Sequence, residues 1–278
     1  MPRVKTVVMR VGRRLVKGPL LDTAAQLAFY AVLALVPFLV VLTSLAAFIP
    51  SQGTVQRLLN RAEAFMPSEA FHLVSEVVAD VVASRSATLL TIGLLTALWS
   101  ASRVANALRT ALNQANELEE GRSFVKVQAI AITFTVGGAA LLLASVVASV
   151  VGAGLVERIA SAVGIDGGDE ARLWGVVRWP IAIGSIAALA GLAYRVLPDI
   201  KPRFGPASAG ALVATVLFLA SSRLFSFYAE RIADFGPTYG SLTGGVVLLL
   251  WSWLSAISFI LGGEVTAALP GARPRRAS

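Results

Sequence analysis

The chain has 278 residues, of which 56% are hydrophobic and only 14% charged, with a mean hydropathy of +0.75. An average soluble domain is about 45–50% apolar and about 25% charged, so this chain lacks the polar surface to cover a water-facing globule. That excludes an ordinary soluble enzyme, a disordered chain and a basic nucleic-acid-binding domain, and it reads the formal charge of +8 as membrane-insertion bias rather than nucleic-acid affinity.

The N-terminal arm, residues 1–22, is basic. Val4, Val7, Val8, Val11 and Leu15 recur at helical spacing among Arg10, Arg13, Arg14 and Lys17, the pattern of an amphipathic helix on an anionic leaflet or of a topology signal. The transmembrane domain, residues 23–269, holds six apolar runs. The first, Ala24–Ile49, is far longer than the core of a cleaved signal peptide. Pro37 lies in its middle and frees the carbonyl of Leu33, a kink and a helix-packing candidate. The outer loop 51–85 carries two apolar stripes: Val55 to Met66, then, after Pro67 and a candidate N-cap at Ser68, Phe71, Val74, Val78, Val81 and Val82. They predict two amphipathic helices on the outer face.

The second run, Ser86 to about Ala111, ends in a polar stripe. Arg103, Asn106, Thr110 and Asn113 fall at i, i+3, i+7 and i+10, on one face of a helix. A guanidinium with two amides suits a phosphate or carboxylate headgroup; the blander alternative is that this half projects from the bilayer and Arg103 snorkels. The third run is Val127–Val156, followed by a predicted flexible turn at Asp166–Glu170. The fourth is Leu173–Leu197, the fifth Phe204–Ser222, and the sixth Phe235–Gly263, closed by Glu264. Glu264 is read as an ion-pair partner of Arg103 or Arg109, or as a proton or cation site. Gly240 and Gly244 form a GxxxG pair, a helix-packing candidate. Residues 270–278 are a basic tail. Runs of this length, apolar all round, are helices rather than barrel strands, so the expected class is an all-α polytopic bundle of six transmembrane helices with amphipathic helices in the arm and first outer loop.

Lys and Arg alternate between the loops. One side collects 16 and the other 8, with net charges of +10 and −2. The positive-inside rule then places both termini in the cytoplasm.

The chemistry is narrow. The chain has no cysteine, which excludes disulfides, thiolate zinc and a cysteine nucleophile, and its one histidine, His72, makes no metal site or relay. There is no GxxxxGK[ST] loop. No metal or cofactor is expected.

Several segments together resemble the YihY/virulence factor BrkB family over about Leu20 to Leu269. They are AAQLAFYAVLALVPFLVVL with Phe29, Tyr30 and Pro37; TIGLLTALWSASRVANALRTALN with Trp99, Ser102, Arg103 and Asn113; ELEEGRSFVK with Glu120, Arg122, Phe124 and Lys126; YRVLPD at Tyr194–Asp199; FGPASAGALVAT at Phe204–Thr215; YGSL at Tyr239–Leu242; and WSWLSAISFILGGE at Trp251–Glu264. Ala34 departs from the family's usual Ser, and Asn116 stands where an aromatic is frequent. The resemblance implies a six-helix protein of the bacterial inner membrane with cytoplasmic termini. It brings transporter-like, virulence and old ribonuclease labels but no agreed catalytic residues. The expected function is a non-catalytic transporter or lipid-translocation factor, with Arg103, Asn106, Asn113 and Glu264 as substrate-path candidates. The alternatives are an envelope scaffold and, less favoured, a nuclease, since metal-dependent phosphoryl transfer needs clustered carboxylates and only Glu117, Glu119 and Glu120 come close. Expected partners are membrane lipids, anionic ones included, and a second copy or an envelope protein; nucleic acid is not expected.

Overall fold

A computed structural model describes residues 20–46, 63, 66–84, 87–163, 167–200, 204–231 and 239–269. The N-terminal arm to Pro19, the first amphipathic stripe of the outer loop and the tail lie outside these residues, apart from Glu63 and Met66. Seven α-helices are described, and no strand is present among these residues: α1 (Leu20–Ala46), α2 (Ser68–Ser84), α3 (Ala87–Ala115), α4 (Phe124–Val163), α5 (Gly167–Val196), α6 (Phe204–Arg231) and α7 (Thr243–Ala268). Each of the six apolar runs falls in a separate helix, and α2 is the second amphipathic stripe of the outer loop.

Within the described residues, four helical stretches are long and apolar enough to cross a membrane: Phe124–Leu141, Trp179–Val196, Ala207–Arg231 and Thr243–Ala268. Leu20–Leu35 is a shorter apolar helix. Several boundaries differ from the expected ones. Gly167 to Glu170 form the first turn of α5 rather than a loose turn. α6 runs on past Arg223 to Arg231, since arginine is a good helix former. Ser68 lies inside the first turn of α2, with Phe71 N–H bonded to the Pro67 carbonyl at 2.9 Å, so Pro67 stands at the cap position.

The six long helices close a ring. α1 packs on α3, α3 on α4, α4 on α5, α5 on α6, α6 on α7 and α7 on α1. α7 also reaches α3 and α5 across the ring, and α2 rests on α1 and α7. The side chains are sorted for lipid. Leu95, Phe124, Leu212, Val216, Leu224 and Leu242 are each more than 60% exposed, whereas 18 of the 31 buried apolar residues among those described are alanines. Lipid tails are as apolar as leucine, so helices associate here through close approach of small residues rather than by hiding large ones.

The closest approach is between α6 and α7. A Cβ on Gly262 would stand 2.5 Å from the Tyr194 hydroxyl and 2.6 Å from both Ala214 Cβ and the Gly210 carbonyl oxygen. A Cβ on Gly210 would collide with Thr266 and the Gly262 carbonyl, and one on Gly263 with Leu112. The expected GxxxG pair does a different job. Gly240 sits in a 3-10 turn, Gly240–Leu242, with φ +52° and open space around it, a conformation that glycine adopts freely. Gly244 receives α2: a Cβ there would lie 3.0 Å from the Glu69 carbonyl. Pro37 is buried in a continuous α1.

Gly210→Ala should destabilise the protein by about 1–3 kcal/mol through overpacking. Gly184→Ala, which has nothing within 4 Å of its added carbon, should be neutral or stabilise by about 0.5–1 kcal/mol through helix propensity. Thermal unfolding of the two variants in detergent checks both signs.

Candidate functional site

Polar chemistry concentrates where α3 and α5 end. α3 stops at Ala115, and Leu118 N–H folds back to bond the Asn113 carbonyl at 2.9 Å, with Glu117 in the left-handed region at φ 57°. This reversal brings Glu120 beside the helix it has just left. Its Oε2 accepts from Arg109 Nη1, from Asn113 Nδ2 at 3.0 Å and from Arg122 Nη2 at 3.0 Å. Its Oε1 accepts from Arg122 Nε at 2.6 Å and from Arg122 N–H at 3.2 Å.

The same arginine ties in α5. Arg122 Nη2 donates to the Leu197 carbonyl at 2.8 Å, and Nε lies 3.3 Å from Asp199 Oδ1. Asp199 Oδ2 accepts from Gly121 N–H at 3.0 Å, and Asp199 N–H donates to Asn113 Oδ1 at 2.8 Å. Two arginines, two carboxylates and one asparagine thus form a charge-neutral knot joining the end of α3, the α3–α4 loop and the end of α5. Hydrogen bonds from the Arg122 side chain hold the Glu120 carboxyl down from 4.5 to about 2, against an opposing effect of partial burial; the Arg122 backbone N–H and Arg109 add to the lowering. Glu120 in return raises the Arg122 guanidinium.

A polar ladder climbs from the knot between α3 and α4. Arg109 Nε donates to Asn106 Oδ1 at 3.4 Å, Asn106 Nδ2 to Gln128 Oε1 at 3.2 Å, and Gln128 Nε2 to Ser102 Oγ at 3.2 Å. Across the ring, Tyr194 is 1% exposed and donates to the Phe259 carbonyl at 2.6 Å, pinning α5 to α7. Glu264 is 2% exposed, on the α7 face whose Ala256 and Ile260 pack against α1 and α3. Ser100 is fully buried, and its Oγ has no hydrogen-bond partner among the described residues.

Comparison with known proteins places the chain. The family model described as virulence factor BrkB matches residues 11–278. The chain belongs to this family. Among its relatives, the ribonuclease-like protein YfkH of Bacillus subtilis (strain 168) is 34% identical over 248 residues, 88% of each chain. The UPF0761 membrane protein of Alkalilimnicola ehrlichii is 27% identical over 265 residues, 93% of this chain but 57% of that longer one. The UPF0761 membrane protein VV0203 of Vibrio vulnificus (strain YJ016) is 36% identical over 94 residues, 34% of this chain and 30% of its own. No solved structure matches. The protein is therefore a multi-pass membrane protein of the BrkB family.

In this BrkB-family chain the expected stripe divides. Asn113 is buried in the knot, and Asn106 is half-buried in the ladder. Arg103 is exposed, with its guanidinium carbon 5.3 Å from the Trp99 ring centroid. Thr110 is exposed and bonds back to the Asn106 carbonyl at 3.0 Å. Arg109 pairs with Glu120. Sequence reasoning gives no site role to Gln128, a lone amide at the start of an apolar run, nor to Ser102, Arg122 and Asp199, which stand in it only as members of the family-like segments, nor to Glu120 beyond that and the disfavoured loop carboxylates; Asp199 lies three residues beyond α5.

A depressed carboxylate stabilises the fold above its ordinary pKa and loses that contribution as pH falls through the folded value. The knot should therefore hold from neutral pH down past 4.5 and fail only as the pH falls through about 2. Carbon-13 NMR titration of Glu120 should give a midpoint near 2, returning toward 4.5 in Arg122→Ala, and that variant should lose about 1.5–3 kcal/mol of stability. A wild-type midpoint near 4.5 would contradict the geometry.

Proposed function

We propose that this BrkB-family protein is a transporter or lipid-translocation factor of the bacterial inner membrane. It crosses six times with both termini in the cytoplasm, uses no cofactor and catalyses no covalent step. The observation that carries the reading is Glu264, a carboxylate 2% exposed inside a bundle of membrane-spanning helices. Ionisable groups at such positions are expensive and mark substrate or ion pathways by default.

The rest of the interior supports the same reading. Ser100, Ser102, Asn113, Thr215, Ser222, Ser258 and Thr266 are all buried, and a serine without a partner at such a position is the kind of group a passing polar substrate can engage. The charge count supports a cytoplasmic position for the knot, which would then tie α3 to α5 near the entrance. The ribonuclease-like name of YfkH points elsewhere, but Glu120 is engaged by two arginines, leaving Glu117 and Glu119 of the loop cluster.

Liposomes of phosphatidylethanolamine and phosphatidylglycerol, carrying headgroup-labelled phosphatidylglycerol, provide the test. Wild-type protein should speed transbilayer movement over protein-free liposomes, and Glu264→Gln should lower the rate about tenfold or more, the loss of at least ~1.4 kcal/mol of coupling, with an unchanged unfolding temperature. Equal rates with and without protein would defeat the proposal.

A further inference from the structure

Three helices each turn one face toward the middle of the ring. On α3 that face carries Leu98, Ala101, Ala105 and Leu112, at i, i+3, i+7 and i+14. On α5 it carries Ile183, Ala187, Ala190, Tyr194 and Leu197, and on α7 Ser252, Ser255, Phe259 and Gly263. Ala105, Leu112, Ala190, Tyr194 and Leu197 share one cluster, Phe259 packs against it, and a Cβ on Gly263 would meet Leu112 and Tyr194. The three faces therefore look at one another across the ring.

Burial changes along all three faces in the same sense. Toward the knot, Ala105, Leu112, Ala190, Tyr194, Leu197 and Gly263 are buried. Away from it, Leu98 and Ala101 on α3, Ile183 and Ala187 on α5, and Ser252, Ser255 and Phe259 on α7 are all partly exposed, although they continue the same inward stripes. The step falls at one level. Ala105 is eight residues before Asn113 of the knot, and Ala190 is seven before Leu197, whose carbonyl Arg122 holds; both separations amount to about 10–12 Å of helix. The ring is packed solid over that distance and hollow beyond it. The packed part, with Ala131 of α4 and Ala211 of α6 completing it, is the floor of the hollow part.

The wall of this space parts between α5 and α6. Gly184 and Gly191 are seven residues apart, which leaves them within about 20° of each other around the helix. A Cβ on Gly191 would stand 3.6 Å from Ala211 of α6, whereas no described residue lies within 4 Å of one on Gly184, which is exposed. Both helices are long and apolar enough here to cross a membrane, over Trp179–Val196 and Ala207–Arg231, so the gap opens sideways, between two membrane-crossing stretches. The lining is apolar apart from Ser252 and Ser255, and the Ser255 hydroxyl already donates to the Trp251 carbonyl at 2.8 Å. No charged side chain stands at any of the inward positions named. Such a lining offers an ion nothing and accommodates a hydrocarbon chain. We propose that the hollow part of the ring is a binding chamber for an acyl chain of a membrane lipid, entered sideways between α5 and α6 and closed at the knot end by the floor. The choice of a lipid rests on the translocation reading above. The inference adds which part of the lipid is held and where it enters.

The test uses the full chain in vesicles of phosphatidylethanolamine and phosphatidylglycerol, with a minor fraction of the latter carrying a diazirine in one acyl chain. After illumination, mass-spectrometric mapping should find label on Ser252, Ser255 or Phe259, the inward face of α7. Ala187→Trp fills the chamber, and Gly184→Trp obstructs the gap from a position with open space around it. Each should lower that labelling about tenfold, whereas Leu212→Trp, on the exposed face of α6, should leave it unchanged. No label at these three residues, labelling that neither Ala187→Trp nor Gly184→Trp lowers, or stronger labelling there by a water-soluble diazirine would overturn the proposal. Labelling of this kind in a protein that moves no lipid keeps the chamber and removes the translocation reading; lipid movement without it does the reverse.

Discussion

The backbones of α6 and α7 touch at Gly210 and Gly262, and the interior is arranged around that contact. In a bilayer there is no hydrophobic gain from bringing two apolar helices together, so the helices must approach closely enough for dispersion and short hydrogen bonds to hold them. Glycine permits that approach, and the space it leaves is used at once. Gly262 makes room for the Tyr194 hydroxyl, which reaches the Phe259 carbonyl, and Gly263 makes room for Leu112. α3, α5 and α6 therefore converge on Phe259, Gly262 and Gly263 of α7. α7 becomes the element against which the others are positioned, including the outer helix α2 at Gly244.

Polar groups in such a bundle must find partners within the protein, and most do so locally. Thr215, Ser255, Ser258 and Thr266 bond back one turn along their own helices. Ser145 and Ser185 join α4 to α5 at 2.8 Å, and Trp251 reaches Ser222 at 3.0 Å between α7 and α6. The knot at Glu120 follows the same logic with full charges, where two arginines and two carboxylates cancel. Two further charged groups mark the extremes of burial: Glu264 is 2% exposed inside the ring, and Arg103 is exposed on its outside. The functional reading starts from the first.

Much of the architecture was legible in the sequence because the physics is one-dimensional. Apolar length reports helices of membrane-spanning size, and each of the six runs lies in its own helix. The stripe after Pro67 reports the amphipathic α2 for the same reason. What a helix face meets is not encoded locally. Arg103 and Asn113 share a face by spacing, yet ten residues of helical drift carry one to the exposed surface and the other into the knot, where the neighbours come from the α3–α4 loop and from the end of α5. GxxxG spacing at Gly240 and Gly244 looked like one motif. The chain uses the first glycine for its positive φ and the second for the close approach of α2, while the tight crossing falls at Gly210, Gly262 and Gly263, whose small size is informative only once α6 and α7 are side by side.

The central claim is that α6 and α7 lie in contact and close the ring around its polar interior. The Ser221 and Ser258 hydroxyls are 3.3 Å apart across that contact, and the chain contains no cysteine. Oxidising a Ser221→Cys/Ser258→Cys double variant in native membranes is the most direct measurement. The account predicts a near-complete intramolecular disulfide, seen as a reducible shift in gel mobility and absent from either single variant. No crosslink, in membranes where a Ser145→Cys/Ser185→Cys pair between α4 and α5 does form one, would contradict it.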